Sequence, residues 1–207
     1  MANTNFRRGL VPRNLNFSKG VHYYRAGTGD DIFLGAPVTI NAAGFCVPTA
    51  ATSNGALASI GAAVGFIDGN KAALATNDPF LDVSDIGSDP APYVAVADDP
   101  VQEFIVKEDT GGTALTQADV GLLFPLVFSA DGASATSGNT TTGWSFLELD
   151  RSLGTTTNSG QFQLLGLLDG VNEDGTLASF GNYANLIVRI VHHQKLIGIV
   201  PIPGPGV

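Results

Sequence analysis

Three histidines, a single cysteine and a few neighbouring carboxylates are the side chains in this 207-residue sequence that could do chemistry. His22 lies in an Arg- and Asn-rich N-terminal stretch, and His192-His193 form a pair near the other end. Adjacent residues on a strand project to opposite faces, so His192 and His193 cannot both ligate one metal from regular β geometry. Cys46 has no second cysteine to pair with inside the chain. As a nucleophile it would need a distant histidine to activate it, so a small buried apolar residue is expected there. Carboxylates pair at Asp98-Asp99, at Glu108-Asp109 and at Asp82 with Asp85. Such pairs can cleave glycosidic bonds or hold Ca²⁺. Here they sit at turn signals, where Asp is favoured for its bonds to nearby backbone N–H groups, and no EF-hand or nonapeptide spacing is present. The chain also lacks a phosphate-binding GxxxxGK(S/T), a GxGxxG, a GxSxG and an HExxH. The expectation is a non-enzymatic protein with no catalytic, cofactor-binding or metal site.

The elements that would carry these residues read as β throughout the body. Pro37 to Asn41, the Ala42-Ala43-Gly44 turn and Phe45 to Pro48 predict a hairpin in which Gly44 takes a positive φ. Further strands are predicted at Ser59–Asp68, Tyr93–Ala97, Gln102–Lys107, Leu122–Ser129, Trp144–Asp150, Gln161–Leu168 and Asn185–His192. Turn chemistry separates them at Asp68-Gly69-Asn70, Asp89-Pro90, Asp99-Pro100, Gly111-Gly112, Asp131-Gly132, Asp169-Gly170 and Asp174-Gly175. One helical turn is predicted at Leu115–Val120. Short strands with frequent turns and no internal repeat predict a single all-β domain, a jelly roll or β-barrel-like body, over residues 30–195.

Charge divides the chain unevenly. Arg7, Arg8, Arg13, Lys19 and Arg25 give the first 29 residues a charge of +5, with no acid before Asp30. From Asp30 onward, nineteen acids face Lys71, Lys107, Arg151, Arg189 and Lys195, a balance of −14. This asymmetry predicts an extended basic N-terminal arm over residues 1–29 that lies on a surface. The acidic body would be repelled by phosphates, which argues against nucleic acid and for an acidic protein surface, including a neighbouring copy of the same body. Phe6, Leu10, Phe17, Tyr23 and Tyr24 are the expected anchors of the arm. Arg7, Arg8, Arg13 and Arg25 are expected to pair with carboxylates of a neighbouring subunit. Ordering about 25 residues costs about 25–50 kcal/mol. Burying its eight apolar side chains, Phe6, Leu10, Val11, Leu15, Phe17, Val21, Tyr23 and Tyr24, returns only about 12–24 kcal/mol, so the arm also needs strand-type hydrogen bonds.

Charged residues are 14% of the chain, against roughly a quarter in an average soluble domain, which fits a body that hides surface in an assembly. Residues 196–207 carry Pro201, Pro203 and Pro205, which exclude a central strand and predict an extended tail. The start shows no apolar secretory segment, and the stretch Leu57–Ile67 is too short to span a bilayer. A soluble chain made in the cytoplasm, without a membrane partner, is expected.

Several stretches have a familiar order. Tyr93-Val-Ala-Val-Ala-Asp-Asp-Pro100 runs into Gln102-Glu-Phe-Ile-Val-Lys-Glu-Asp109. Ala118-Asp-Val-Gly121 follows, then Trp144-Ser-Phe-Leu-Glu-Leu-Asp150, Gln161-Phe-Gln-Leu-Leu-Gly-Leu-Leu-Asp169 and Asn185-Leu-Ile-Val-Arg-Ile-Val-His-His193. Together they resemble the capsid cement or decoration proteins, head structural proteins of tailed bacteriophages of aquatic bacteria, over roughly residues 30–195. The resemblance implies a β-rich module on the capsid surface of the virion, made in the host cytoplasm, that binds the major capsid protein and bridges capsomers. It implies a homo-oligomer, with a trimer ahead of a dimer, and no catalytic residues. A receptor- or glycan-binding virion module is the alternative, and it would want exposed aromatics clustered on the body. Trp144 is the only Trp, and after the arm only Tyr93 and Tyr183 remain. The major capsid protein itself fits less well, because its spine helix is not written in this sequence.

Overall fold

Runs of β-branched and aromatic residues, cut short by Gly, Pro and Asp, turn most of the described chain into brief antiparallel strands. The computed structural model describes residues 8–16, 20–27, 31–49, 58–69, 80–82, 91–128, 138–153, 160–168, 178–181 and 183–196. Within them the strands are β1 (Val11–Pro12), β2 (Val21–Arg25), β3 (Pro37–Ile40), β4 (Cys46–Pro48), β5 (Gly61–Ile67) and β6 (Tyr93–Ala97). They continue with β7 (Glu103–Lys107), β8 (Leu123–Phe124), β9 (Leu126–Phe128), β10 (Leu147–Leu149), β11 (Phe162–Leu167) and β12 (Asn185–Ile190). The predicted helical turn is a 3₁₀ turn, Gln117–Asp119, closed by a capping box between Thr116 and Asp119. The protein is all-β.

Two five-stranded sheets, ordered β2-β6-β5-β3-β4 and β1-β7-β12-β11-β8, carry most of the fold, and β9 and β10 form a two-stranded sheet. Each curls toward closure. Ala26, the residue after β2, bridges Cys46 of β4, and the Gly27 N–H donates to the Cys46 carbonyl at 2.8 Å. In the other ring, Pro125 divides the strand expected over Leu122–Ser129. Proline has no N–H for a ladder, so β8 stays on β11 while β9 turns away to pair with β10. A bridge from Leu149 to Glu108, just past β7, then joins β10 to β7 of that sheet. Curling of this kind shortens the open edges of a sheet.

The two rings share a wall. Alternate residues of β5 and β6 point to opposite sides, so Ala62 and Ala97 enter one core while Ala63, Val94 and Val96 enter the other. The larger core collects Phe104, Val106, Phe124, Leu147, Leu149, Phe162, Leu164, Leu186 and Val188. The smaller is lined by Ile32, Val38, Cys46, Ile60 and Leu81. Alanines at the wall let the two layers approach closely.

The hairpin of β3 and β4 forms as its sequence predicts, with Gly44 at φ 84 and the Asn41 carboxamide accepting from the Ala43 and Phe45 N–H groups. Tyr93–Ala97 is a strand with the predicted bounds. The strand expected from Trp144 begins only at Leu147, and Trp144 makes a single parallel bridge to Leu34. The turns at Asp89-Pro90, Asp131-Gly132, Asp169-Gly170 and Asp174-Gly175 lie outside the described residues, as do residues 197–207 of the expected tail.

The expected division between arm and body at residue 29 is not found among the described residues. β1 pairs with β7, and β2 pairs along its whole length with β6. Leu10 is fully buried in the larger core, and its N–H donates to the Gly35 carbonyl at 2.8 Å. Gly35 has φ +76, and a Cβ there would lie 2.0 Å from the Arg8 carbonyl oxygen, so only glycine admits the passing N-terminal strand. The backbone hydrogen bonds that burial alone could not replace come from the chain's own sheets.

Candidate functional site

β2 gathers three of the predicted partner-binding residues, Tyr23, Tyr24 and Arg25. Its Tyr23 is 58% exposed, one of two large apolar side chains this exposed among the described residues; the other is Val101. Arg25 is also exposed. The hydrogen bonds from Asp98 N–H to the Gly20 carbonyl and from Ala26 N–H to the Pro92 carbonyl set the register of β2 on β6. In this alternation, Gly20, His22, Tyr24 and Ala26 turn their backbone groups to β6, and Val21, Tyr23 and Arg25 turn theirs outward. Among the described residues no strand ladder runs along the outer side of Val21–Tyr24, and β4 meets the end of β2 through the Ala26–Cys46 bridge. β2 is therefore a short edge presenting an aromatic ring, a cation and an outward row of backbone groups.

The other predicted contact residues are placed differently. Arg13 forms an ion pair with Glu103 of the same chain at 2.9 Å, so the carboxylate expected on a neighbouring subunit is supplied internally. Both side chains are about 40% exposed, and such pairs contribute about 0–1 kcal/mol. Arg8 lies 5.9 Å from the ring centre of Trp144, a cation–π arrangement on the surface. Leu10 is core, and Tyr24 is half-buried with its hydroxyl turned to Asp98. Phe6, Arg7 and Phe17 lie outside the described residues. Of the nine, the structure brings Tyr23, Tyr24 and Arg25 together on one strand.

Beside that edge is a polar node that the sequence did not mark. Asp98 is fully buried at the end of β6, on the face that carries Val94 and Val96. His22 Nδ1 lies 2.7 Å from its Oδ1. The Tyr24 hydroxyl donates to its Oδ2, and the Lys195 ammonium stands 2.6 Å from the same oxygen. Burial pushes the Asp98 carboxyl up, but the hydrogen bonds from Lys195, Tyr24 and His22 outweigh it and hold the group below the usual aspartate range. Burial first and the Asp98 bond second push the Tyr24 phenol far above its ordinary value. One carboxylate thus holds the N-terminal strand β2 and the segment leaving β12. The strand reading Tyr93-Val-Ala-Val-Ala97 contained the missed signal. Its alternation continues to Asp98, which places that carboxylate on the inner face.

His193 packs close by. It is 1% exposed, and its Nδ1 accepts the Lys195 backbone N–H at 3.1 Å. Burial first, then the Lys195 charge, holds the imidazole below the usual histidine range, against the opposing pull of Asp98, the Ile60 backbone and Asp99. His192 is only half-buried, and both histidines lie past the end of β12 at Ile190. Cys46 is fully buried and its thiol is pushed up to about 12 by burial, so it stays protonated and inert as a nucleophile. Among the described residues, no group of three or more His, Cys, Asp or Glu side chains is placed to hold a metal ion.

The Glu108-Asp109 pair serves a second node. The Arg151 guanidinium donates to Glu108 Oε1 at 3.1 Å and to the carbonyls of Thr110, Gly111 and Gly112 at 2.9, 2.5 and 3.0 Å. Glu108 also accepts the Leu115 N–H at 2.9 Å, and Asp109 accepts the Arg151 N–H at 3.1 Å. Burial raises both carboxyls, and these bonds only partly offset it. The Gly111-Gly112 turn therefore wraps a guanidinium, and the cluster is spent on holding that turn. Comparison of the chain with known protein families, with curated proteins and with solved structures gives no match in any of the three.

Proposed function

We propose that this protein is a non-enzymatic virion structural protein that sits on the outside of a phage capsid and stabilises it by bridging capsomers. The observation that carries the reading is the β2 edge: among the described residues no strand ladder runs along its outer side, and Tyr23 and Arg25 are exposed there. An edge of this kind accepts an added strand from a partner, with backbone bonds giving affinity and side chains giving specificity. The resemblance of its motif order to that of capsid cement proteins supports the same reading. The partner is the major capsid protein, and the protein acts as a homo-oligomer, a trimer ahead of a dimer.

A protein that binds the assembled shell and not dispersed subunits must raise the temperature at which the shell fails. Particles lacking it are expected to assemble yet release DNA at lower temperature, and purified protein added back is expected to restore them. Particles equally heat-stable with and without it would sink the proposal and favour the receptor- or glycan-binding reading, with host adsorption as the next assay.

A further inference from the structure

Lys195 takes part in two different contacts. Its backbone N–H donates to His193 Nδ1, and its ammonium binds Asp98. An imidazole whose Nδ1 accepts a hydrogen bond carries its single proton on Nε2. A second proton would have to go on Nδ1, where the lone pair now receives the Lys195 N–H. Protonation therefore removes an acceptor and sets two N–H groups against each other. A charged ring would also lack water, because His193 is 1% exposed; its buried Nε2 makes no close hydrogen bond, and the Ile60 backbone only partly offsets the burial.

We infer that His193 is the proton sensor of an acid-released clasp that fastens the segment after β12, residues 191–196, to the body. In the clasped state the neutral ring holds the Lys195 backbone, and that backbone position delivers the ammonium to Asp98. When the ring takes a proton, Lys195 shifts, and Asp98 loses one of the three donors that hold it, leaving His22 and Tyr24 of β2. The groups facing the ring act in both directions: the Lys195 cation opposes its protonation, and Asp98 and Asp99 favour it. The remaining bonds of the segment do not titrate in this range. Gln194 bonds both backbone groups of Ile40 at 2.8 and 3.0 Å, and its N–H donates to the Ser59 carbonyl at 2.9 Å. Release is thus local, and it loosens the point from which residues 197–207 continue. This inference is independent of the capsid reading.

The sign follows from linkage. The clasped ring resists protonation and the released ring takes a proton near its ordinary value of 6.5, so the clasp is at full strength above that value. Below it, the clasp weakens by about tenfold per pH unit until the clasped ring itself is protonated. Asp98, already held below its ordinary range, weakens the node only at lower pH.

Amide hydrogen exchange on the intact protein tests this, with rates corrected for the intrinsic pH dependence. Protection of the Lys195 amide is expected to fall by about tenfold per unit below about pH 6.5. In His193→Gln, whose side-chain carbonyl still accepts that N–H but does not titrate, the fall is expected to vanish. Asp98→Asn is expected to lower protection at every pH and keep the fall. Equal protection at about pH 7.5 and about pH 5 in the wild type overturns the inference, and so does an unchanged fall in His193→Gln. Should His193→Gln fail to fold, the wild-type ring is titrated by NMR. Titration at the ordinary value with no movement of the Lys195 amide overturns it equally.

Discussion

Arg151 shows how a buried charge is tolerated here. Glu108 is fully buried, and its carboxylate is met by the guanidinium and by backbone N–H groups of Leu115 and Gly181. Replacing both charges by apolar groups could be nearly neutral, but removing one strands the other. Arg151→Met should therefore cost about 3–5 kcal/mol in urea denaturation, because Glu108 loses its counter-charge and three carbonyls lose their donor. Since burial holds the Glu108 carboxyl above its ordinary value, the folded state takes up its proton at higher pH than the unfolded chain. The cost of keeping it ionised is absent at low pH and grows as pH rises from the ordinary value through the folded one. The loss in Arg151→Met should accordingly be smaller at pH 4 than at pH 7; a loss below about 1 kcal/mol at pH 7 would mean that water reaches Glu108.

β1 and β2 change what the N-terminal segment is. A basic, Asn-rich stretch without sustained alternation was expected to leave the body, yet it supplies Leu10 to the larger core and an edge strand to each five-stranded sheet. If this packing is what stabilises the body, Leu10→Ala should lower its stability by about 2–5 kcal/mol, as for other fully buried leucines. Thermal or urea unfolding of the isolated protein checks this, and a change below about 0.5 kcal/mol would restore the picture of a detached arm. For the same reason, deleting residues 2–25 would damage the fold and cannot serve as a clean test of shell binding. Point substitutions on the outer side of β2 can.

For the molecule acting on a capsid, the relevant surface is thus the edge and not a free arm. Tyr23→Ala should leave unfolding of the isolated protein within about 0.5 kcal/mol, because the ring is largely exposed. On purified shells, the same substitution should weaken binding by about 2 kcal/mol or more if Tyr23 is a central anchor. Arg25→Gln should mainly reduce the salt dependence of binding, since exposed charge pairs are screened over about 8 Å at physiological ionic strength. Uniformly small losses at both positions would move the contact away from β2.

Alternation and turn chemistry alone determined the all-β class, the hairpin around Gly44, and the strand Tyr93–Ala97. These are local, because period-2 patterning and positive-φ glycine are properties of a few consecutive residues. Charge asymmetry was equally plain in the sequence, but its meaning was not. Arg13 meets Glu103, ninety positions away, and the Lys195 ammonium crosses from the last described segment to Asp98. Nothing in the spacing of His22, Tyr24, Asp98, His193 and Lys195 announces one site. They meet because β6 takes β2 along one side, while the segment after β12 returns beside Ser59, next to β5. Which carboxylate is buried and which cation reaches it depend on strand order and register, and long-range pairing fixes those only when the two rings close on their shared wall.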